Sequence, residues 1–486
     1  MISLQNRLLF FFIIFCFSFL ANTSYSQTQA SAEKIDAFIR AKLAKSSLLG
    51  LAVAVVHGDS ILLSKGYGIT GEQKPVNADT PFAIASLSKA FTAMAVMQLV
   101  EAGQIDLKAP IVNYLPSLSM DDGRYSTITV EQLLHQTSGL GDTGFPEMAY
   151  NEQPSTLEEA MARFKKAHLV STPGQKYHYH NPNYQLLAML VEAVSHEQFS
   201  DYLQKHIFKP LKMSHSQEFS STKSFYTTSD DFSNGHIFFF GKPIAVREPD
   251  WFVGGAAGIV TCANDMAHWL TLQLKYGRFE NTQLLDSTHI AMMYRVPAGQ
   301  PYGMGWFLTE NAYLHHNGVL WTYSSDQLIM RKNGYGIVLL FNGGLTAFVE
   351  YHLFLQGIAA ILDNREPEVP AFPDWYFSIG IGGIFLIAIG LAVRRLIRLK
   401  FWYRNYTQRP LWRSGLYFCI RLLPLICFLL IPFWVTVVSG RVLNWQRIFL
   451  AFPDIILGLG TVVFLHTMIA ATRLAKVVQG KRLPQN

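Results

Sequence analysis

The chain has 486 residues, half of them hydrophobic and only 15% charged, which is too apolar for an ordinary soluble protein and long enough for more than one domain. Its net charge of +6 is unevenly spread: residues 27–371 carry 25 Lys and Arg against 32 Asp and Glu, while residues 372–486 carry 14 against 2. The basic excess therefore belongs to an apolar tail, and nothing in it argues for a nucleic-acid partner.

The first 26 residues have the form of a secretory signal. Arg7 precedes the uncharged run Leu8–Leu20, and small residues at Ser24 and Ser26 permit cleavage near Gln27. Of the four cysteines, Cys16 falls in this signal and Cys419 and Cys427 fall in the apolar tail, leaving Cys262 alone in the exported part. A disulfide framework there is excluded, although the compartment would permit one.

Helical spacing runs over Ala32–Ser46, and a hairpin follows with arms Leu51–Val56 and Ser60–Gly66 about His57-Gly58-Asp59. Next, Phe82–Phe91 reads as a strand-like entry into a helix that is apolar on nearly every side to Gly103, hence buried. Short helical pieces are expected at Asp106–Leu115 and Thr129–Thr137, the second opening on a capping threonine with Gln132 three residues on. Residues 140–250, rich in Ser, Asn, Tyr, His and Pro, read as an irregular helical lobe with helices near 157–168, 183–195 and 199–207. Strand patterns return at Gly303–Leu308, Tyr313–His316, Gln327–Arg331 and Tyr335–Phe341, and a helix over Thr346–Leu362 closes the domain. Strands at both ends with helices between imply one α+β domain over residues 27–362, its sheet completed by distant segments.

A linker over residues 363–374, with Pro367, Pro370 and Pro373, leads to three stretches long and apolar enough to cross about 30 Å of hydrocarbon as helices. They lie near 375–393, 422–440 and 450–472. Seven Lys and Arg in 394–413 and four after Ala471 place that loop and the C-terminus in the cytoplasm by the positive-inside rule. The domain before Trp375 is then extracytoplasmic, as the signal independently requires.

Ser86 and Lys89 stand at i and i+3 near the start of the buried helix, sharing a face. A serine hydroxyl becomes nucleophilic when a neighbour takes its proton, and a lysine with a depressed pKa can do so. Tyr179 and Asn181, in Tyr177-His178-Tyr179-His180-Asn181, have the i, i+2 spacing that puts both on one side of an extended segment. A phenol near a lysine can relay protons, and an Asn amide can hold a substrate carbonyl. At a strand end, His315-His316-Asn317-Gly318 offers a histidine for the tyrosine or substrate, and a glycine where substrate can approach the backbone. Leu133–Leu140, with His135 and Gln136, reads as a supporting loop. His178 and His180 alternate with the tyrosine but lack a third ligand at usable spacing, so no metal or cofactor is expected.

The ordered set Ser-x-x-Lys, Leu-Leu-x-x-Thr-Ser-Gly, Tyr-x-Asn, Gly-Gly and His-x-Gly resembles the serine β-lactamase-related family, in the branch grouping class C β-lactamases with D-aminopeptidases, carboxypeptidases and esterases. The resemblance spans roughly residues 33–362. It implies an antiparallel sheet flanked by helices plus an all-helical lobe, with the site between them. It also implies Ser86 as acylated nucleophile, Lys89 and Tyr179 as the proton-transfer pair, Asn181 as substrate positioner and His316 in the third-motif place. The backbone N–H groups of Ser86 and Val319 would form the oxyanion hole beside Gly318. Two departures bear on substrate: His-Asn-Gly replaces Lys-Thr-Gly, removing the cation and hydroxyl that hold a penicillin carboxylate, and Trp321 stands where relatives often carry glycine. The first favours an ester or peptide-like amide over efficient β-lactam hydrolysis, and the bulk of Trp321 is expected to narrow the site. The expectation is a membrane-anchored extracytoplasmic serine hydrolase. The rival is a non-catalytic or slowly acylated receptor signalling through its helices, and a membrane-protein partner on those helices is compatible with either.

Overall fold

The computed structural model describes residues 29–482 except 228–231, 347–348, 370–371, 400 and 403–410. The expected signal segment therefore lies outside the described residues, as does part of the basic loop 394–413.

A six-stranded antiparallel sheet organises residues 29–362. The hairpin β1 (Gly50–His57) and β2 (Ser60–Gly68) pairs with the late strands β3 (Phe307–Leu308), β4 (Leu314–Val319), β5 (Ser324–Met330) and β6 (Tyr335–Phe341), in the order β3-β4-β5-β6-β1-β2. The join between the two ends of the chain is β1 against β6, running from Leu51↔Phe341 to His57↔Tyr335. Both strands are valine- and leucine-rich because both faces of the sheet are covered. Leu51, Val53 and Val55 turn with Ile337, Leu339 and Phe341 towards Ile35, Phe38 and Ile39 of α1 (residues 29–43) and Phe354 and Ile358 of α5 (His352–Leu362). Ala52, Ala54, Val338 and Leu340 turn to the other core, shared with α2 (Ser88–Glu101), α3 (Asn181–Ser195) and α4 (Ala263–Leu274). Each face buries alternate residues of the same strands, so register and fold are fixed together.

The predicted hairpin, the buried helix and the last strand are present. The Thr129 capping box forms in full, Thr129 accepting from the Gln132 N–H and Gln132 from that of Thr129. The expected strand over Gly303–Leu308 shrinks to Phe307–Leu308. Gly305, at φ 85°, turns the chain so that its backbone packs against Ala90 of α2, an approach that leaves no room for a Cβ.

Beyond the linker, α6 (Trp375–Ile397) and α10 (Pro453–Arg482) include two helices long and apolar enough to cross a membrane, Trp375–Ile397 and Pro453–Val477. The stretch expected as one helix over 422–440 is instead α7 (Leu411–Leu429) and α8 (Ile431–Ser439), bent by 54° at Leu430. Pro432 explains the break: it has no N–H, and its ring clashes with the carbonyl four residues back in a continuous helix. The described residues thus hold two clear candidate spans, and a third only if the bent pair is one span. A short helix α9 (Trp445–Ala451) follows the turn 440–444, and α10 packs along both α6 and α7.

Candidate active site

Ser86 sits on a single 3₁₀ turn, Ala85–Leu87, at the entry to α2. The residue before it, Ala85, has φ 48°, a left-handed conformation that an alanine adopts only when its surroundings impose it. Those surroundings are β4 and β5: the Ser325 hydroxyl donates to the Ile84 carbonyl at 2.7 Å, and Gly318 lies so close that a Cβ there would strike that carbonyl and the Ser325 Oγ. Gly318 therefore serves the packing of β4 against the nucleophile turn.

Lys89 is fully buried, with three partners for its Nζ: Ser86 Oγ at 3.0 Å, Asn181 Oδ1 at 2.8 Å and the Ala256 carbonyl at 2.9 Å. Burial holds this amine well below the usual lysine range, and the positive charge of Arg441 adds to the effect. The Tyr179 phenol hydrogen-bonds Ser86; burial pushes its pKa up to about 12, so it is a protonated hydroxyl at neutral pH. Lys89 Nζ also stands 4.8 Å from the centroid of the Tyr179 ring. Ser86, Lys89 and Tyr179 are thus brought together as the motif order implied.

Asn181 lines the site and is tied to the catalytic amine. Its amide oxygen accepts from Lys89, and its amide nitrogen donates to Glu147 Oε1 at 3.0 Å. The second Glu147 oxygen accepts from Trp251 Nε1 at 2.8 Å. Burial raises the Glu147 carboxyl to about 7. The chain Lys89–Asn181–Glu147–Trp251 fixes the position of the amine. Glu147 and Trp251 carried no motif, and no local signal marks either.

His316 is in the third-motif place, buried and neutral: burial brings its pKa down to about 3. Both ring nitrogens are engaged. Nδ1 faces the Asn317 carbonyl at 2.7 Å, which can only accept, so Nδ1 carries the proton and Nε2 accepts from the Tyr302 hydroxyl at 3.0 Å. The histidine bonds Tyr302 rather than Tyr179, and it neither supplies a cation nor offers a free nitrogen to substrate. The loop carrying His135 and Gln136 is bonded to the segment that bears Tyr179 and to Tyr302. Gln136, at φ 61°, accepts from the His180 N–H at 2.9 Å and from Asn183 Nδ2, while its carbonyl accepts from the His178 N–H at 2.9 Å. His135 Nδ1 meets the Tyr302 carbonyl at 3.2 Å.

A cavity of about 540 Å³ opens over Ser86, Tyr179, Asn181, His316 and Val319. Trp321 lines it, as its position after the third motif suggested, and the guanidinium of Arg447 sits 5.4 Å from its ring centroid. Less foreseeable is the outer wall, formed by Val435 and Ser439 of α8, Arg441 and Leu443 of the turn, and Phe452. Arg441 Nη1 donates to Asp142 at 3.1 Å, and the Val442 N–H donates to the same carboxylate. Asn444 Nδ2 reaches Asn151 Oδ1 at 3.1 Å, and Arg447 Nη2 reaches the Asp250 carbonyl at 2.7 Å. The C-terminal helical part thus closes one side of the pocket.

Comparison with known proteins decides the family: residues 35–359 match the Beta-lactamase family. The chain belongs to that family. Protein flp of Staphylococcus aureus strain MW2 is 30% identical over 322 residues, 65% of this chain and 64% of that protein. Penicillin-binding protein PbpX of Bacillus subtilis is 28% identical over 299 residues, 60% of this chain and 70% of that protein. The chain therefore spans just under two thirds of the length of the staphylococcal relatives it matches. Among solved structures, the octameric penicillin-binding protein homologue of Pyrococcus abyssi aligns at a TM-score of 0.59 with 24% identity, over 69% of this chain and 78% of that one. EstCE1, a hydrolase with promiscuous acyltransferase activity, aligns at 0.58 with 18% identity, over 69% and 99%. These two establish a β-lactamase/transpeptidase-like fold for the described residues up to 362, with the helical C-terminal part following it.

Proposed function

We propose that this protein is a membrane-anchored, extracytoplasmic serine hydrolase that acts through an acyl-enzyme on an ester or peptide-like amide. The observation that carries the reading is the fully buried Lys89 amine held against Ser86 Oγ, Asn181 Oδ1 and the Ala256 carbonyl. Burial favours its neutral form, which has two N–H groups and one lone pair. In that form Asn181 Oδ1 and the Ala256 carbonyl, which can only accept, take both N–H groups and the lone pair faces Ser86 Oγ. Lys89 is thereby poised to take the serine proton as Ser86 attacks a carbonyl. Tyr179, a protonated phenol against Ser86, passes the proton to the leaving group, and water then releases the acyl group by the same route. The N–H groups of Ser86 and Val319, both on the cavity, stabilise the oxyanion.

Anchoring rests on the two long apolar helices, with the bent α7–α8 pair as a third passage. The turn 440–444 lies against the active site, hence on the same side as the catalytic domain. That supports a topology with 394–413 and the C-terminus on the cytoplasmic side. Cell-wall peptides and simple esters both fit the compartment and the neutral third motif.

The test is intact-mass analysis of the detergent-purified protein after reaction with a fluorophosphonate. One adduct, lost in Ser86→Ala and kept when a distant serine is changed, is the expected result. An unreactive, folded protein would turn the choice to the receptor reading, which the shared wall of pocket and α8 favours. Ligand-dependent crosslinking between the helices without turnover would be its mark.

A further inference from the structure

We propose that Arg441, brought to the pocket by the membrane region, is the residue with which this site recognises an anionic group on its substrate; the proposal rests on the hydrolase reading. Among the described residues lining the cavity, Arg441 is the one with an ionised side chain. The others are apolar, aromatic, hydroxyl or amide groups and the neutral His316. A charge facing such walls interacts more strongly than one in water.

The placement is built rather than incidental. The guanidinium carbon sits 5.3 Å from the centroid of the Tyr179 ring, the ring whose hydroxyl meets the nucleophile. Asp142, nearly inaccessible to solvent, takes one guanidinium N–H at 3.1 Å and the neighbouring Val442 N–H. Asn444 and Arg447 pin the next turn of chain to the catalytic domain. The guanidinium has five N–H donors in a planar fork, and the Asp142 contact uses one edge, so the fork retains donors for a carboxylate or similar oxyanion.

The third motif explains why a cation from elsewhere is needed. His316 spends both nitrogens on Asn317 and Tyr302 and stays uncharged. A substrate anion beside the scissile carbonyl would find no positive partner on β4. Arg441 supplies it from outside the catalytic domain, so recognition of a charged substrate depends on the membrane helices being docked.

The experiment uses the full chain in mild detergent with two esters sharing a leaving group, neutral p-nitrophenyl pentanoate and the anionic mono-p-nitrophenyl ester of glutaric acid. Arg441→Gln retains an N–H for Asp142 while removing the charge, and Arg441→Lys retains the charge. The expected result is that Arg441→Gln lowers the anionic-to-neutral ratio of kcat/KM by about tenfold or more, the loss of one charge-assisted hydrogen bond, mainly through KM. Arg441→Lys should keep most of the ratio. Fluorophosphonate labelling of Ser86 in each variant shows that the site is intact. An unchanged ratio in a labelled Arg441→Gln protein overturns the proposal alone. A wild-type protein that turns over neither ester and leaves Ser86 unlabelled overturns the hydrolase reading, and this proposal with it.

Discussion

Asn181 Oδ1 lies 2.8 Å from Lys89 Nζ, and the other end of the same amide is held 3.0 Å from Glu147. The amide therefore orients the amine and, through it, the lone pair that faces Ser86. Asn181→Asp would set a carboxylate against Lys89, favour the ammonium and remove the base. Labelling of Ser86 by a fluorophosphonate at pH 7 should slow by about tenfold or more, since each unit by which Lys89 rises costs a tenfold loss of free amine. The loss should recover as pH is raised, and a loss independent of pH would contradict the role given to Asn181.

Glu147 has a raised pKa, about 7 against an ordinary 4.5, because burial disfavours its carboxylate. Between those values the folded protein binds more protons than the unfolded one, so this group makes stability fall as pH rises. Glu147→Gln is uncharged and of the same shape, but its amide nitrogen meets a donor, Asn181 Nδ2 or Trp251 Nε1, where both carboxyl oxygens accept. The variant should therefore start below the wild type at pH 4.5 by a fixed cost and gain on it up to pH 7. The relative gain over this range is at most about 3.4 kcal/mol, at 1.36 kcal/mol per pH unit. Melting curves of both proteins across this range measure it.

Tyr302→Phe removes the hydroxyl that donates to His316 Nε2 and leaves a buried acceptor without its partner. A destabilisation of roughly 1–3 kcal/mol is expected. Denaturant unfolding monitored by tryptophan fluorescence would detect it.

Gly318→Ala forces a Cβ against the Ile84 carbonyl and Ser325 Oγ, both of which hold the turn that carries Ser86. Overpacking of this kind costs about 1–3 kcal/mol, and here the movement falls on the nucleophile. Ser86 labelling should slow more than labelling in Gly123→Ala, where a Cβ meets open space.

The proposed topology puts residue 442 outside and residue 476 inside. In a background with Cys419 and Cys427 changed to serine, Val442→Cys should react with a membrane-impermeant maleimide on intact cells, and Lys476→Cys only after permeabilisation. The reverse pattern would refute the orientation.

Local chemistry made much of this protein legible from its sequence. The hairpin, the all-round apolar α2 and the last strand follow from local composition and side-chain pattern, and the capping box at Thr129 from four residues. Ser86, Lys89 and Tyr179 followed from motifs whose spacing survives any rearrangement of the loops between them. What tertiary structure decided was the use of each group. Asn181 faces Lys89 and Glu147 because Glu147, 34 residues earlier, is folded beneath it. His316 is neutral because Tyr302 and Asn317 take both nitrogens in a buried setting, and Gly318 serves packing because β4 lies against the nucleophile turn. Arg441 lies 262 residues after Tyr179, in a turn between apolar C-terminal helices. No local pattern links the two, since their meeting depends on how the apolar helices dock against the catalytic domain, a long-range packing event that side-chain spacing does not encode.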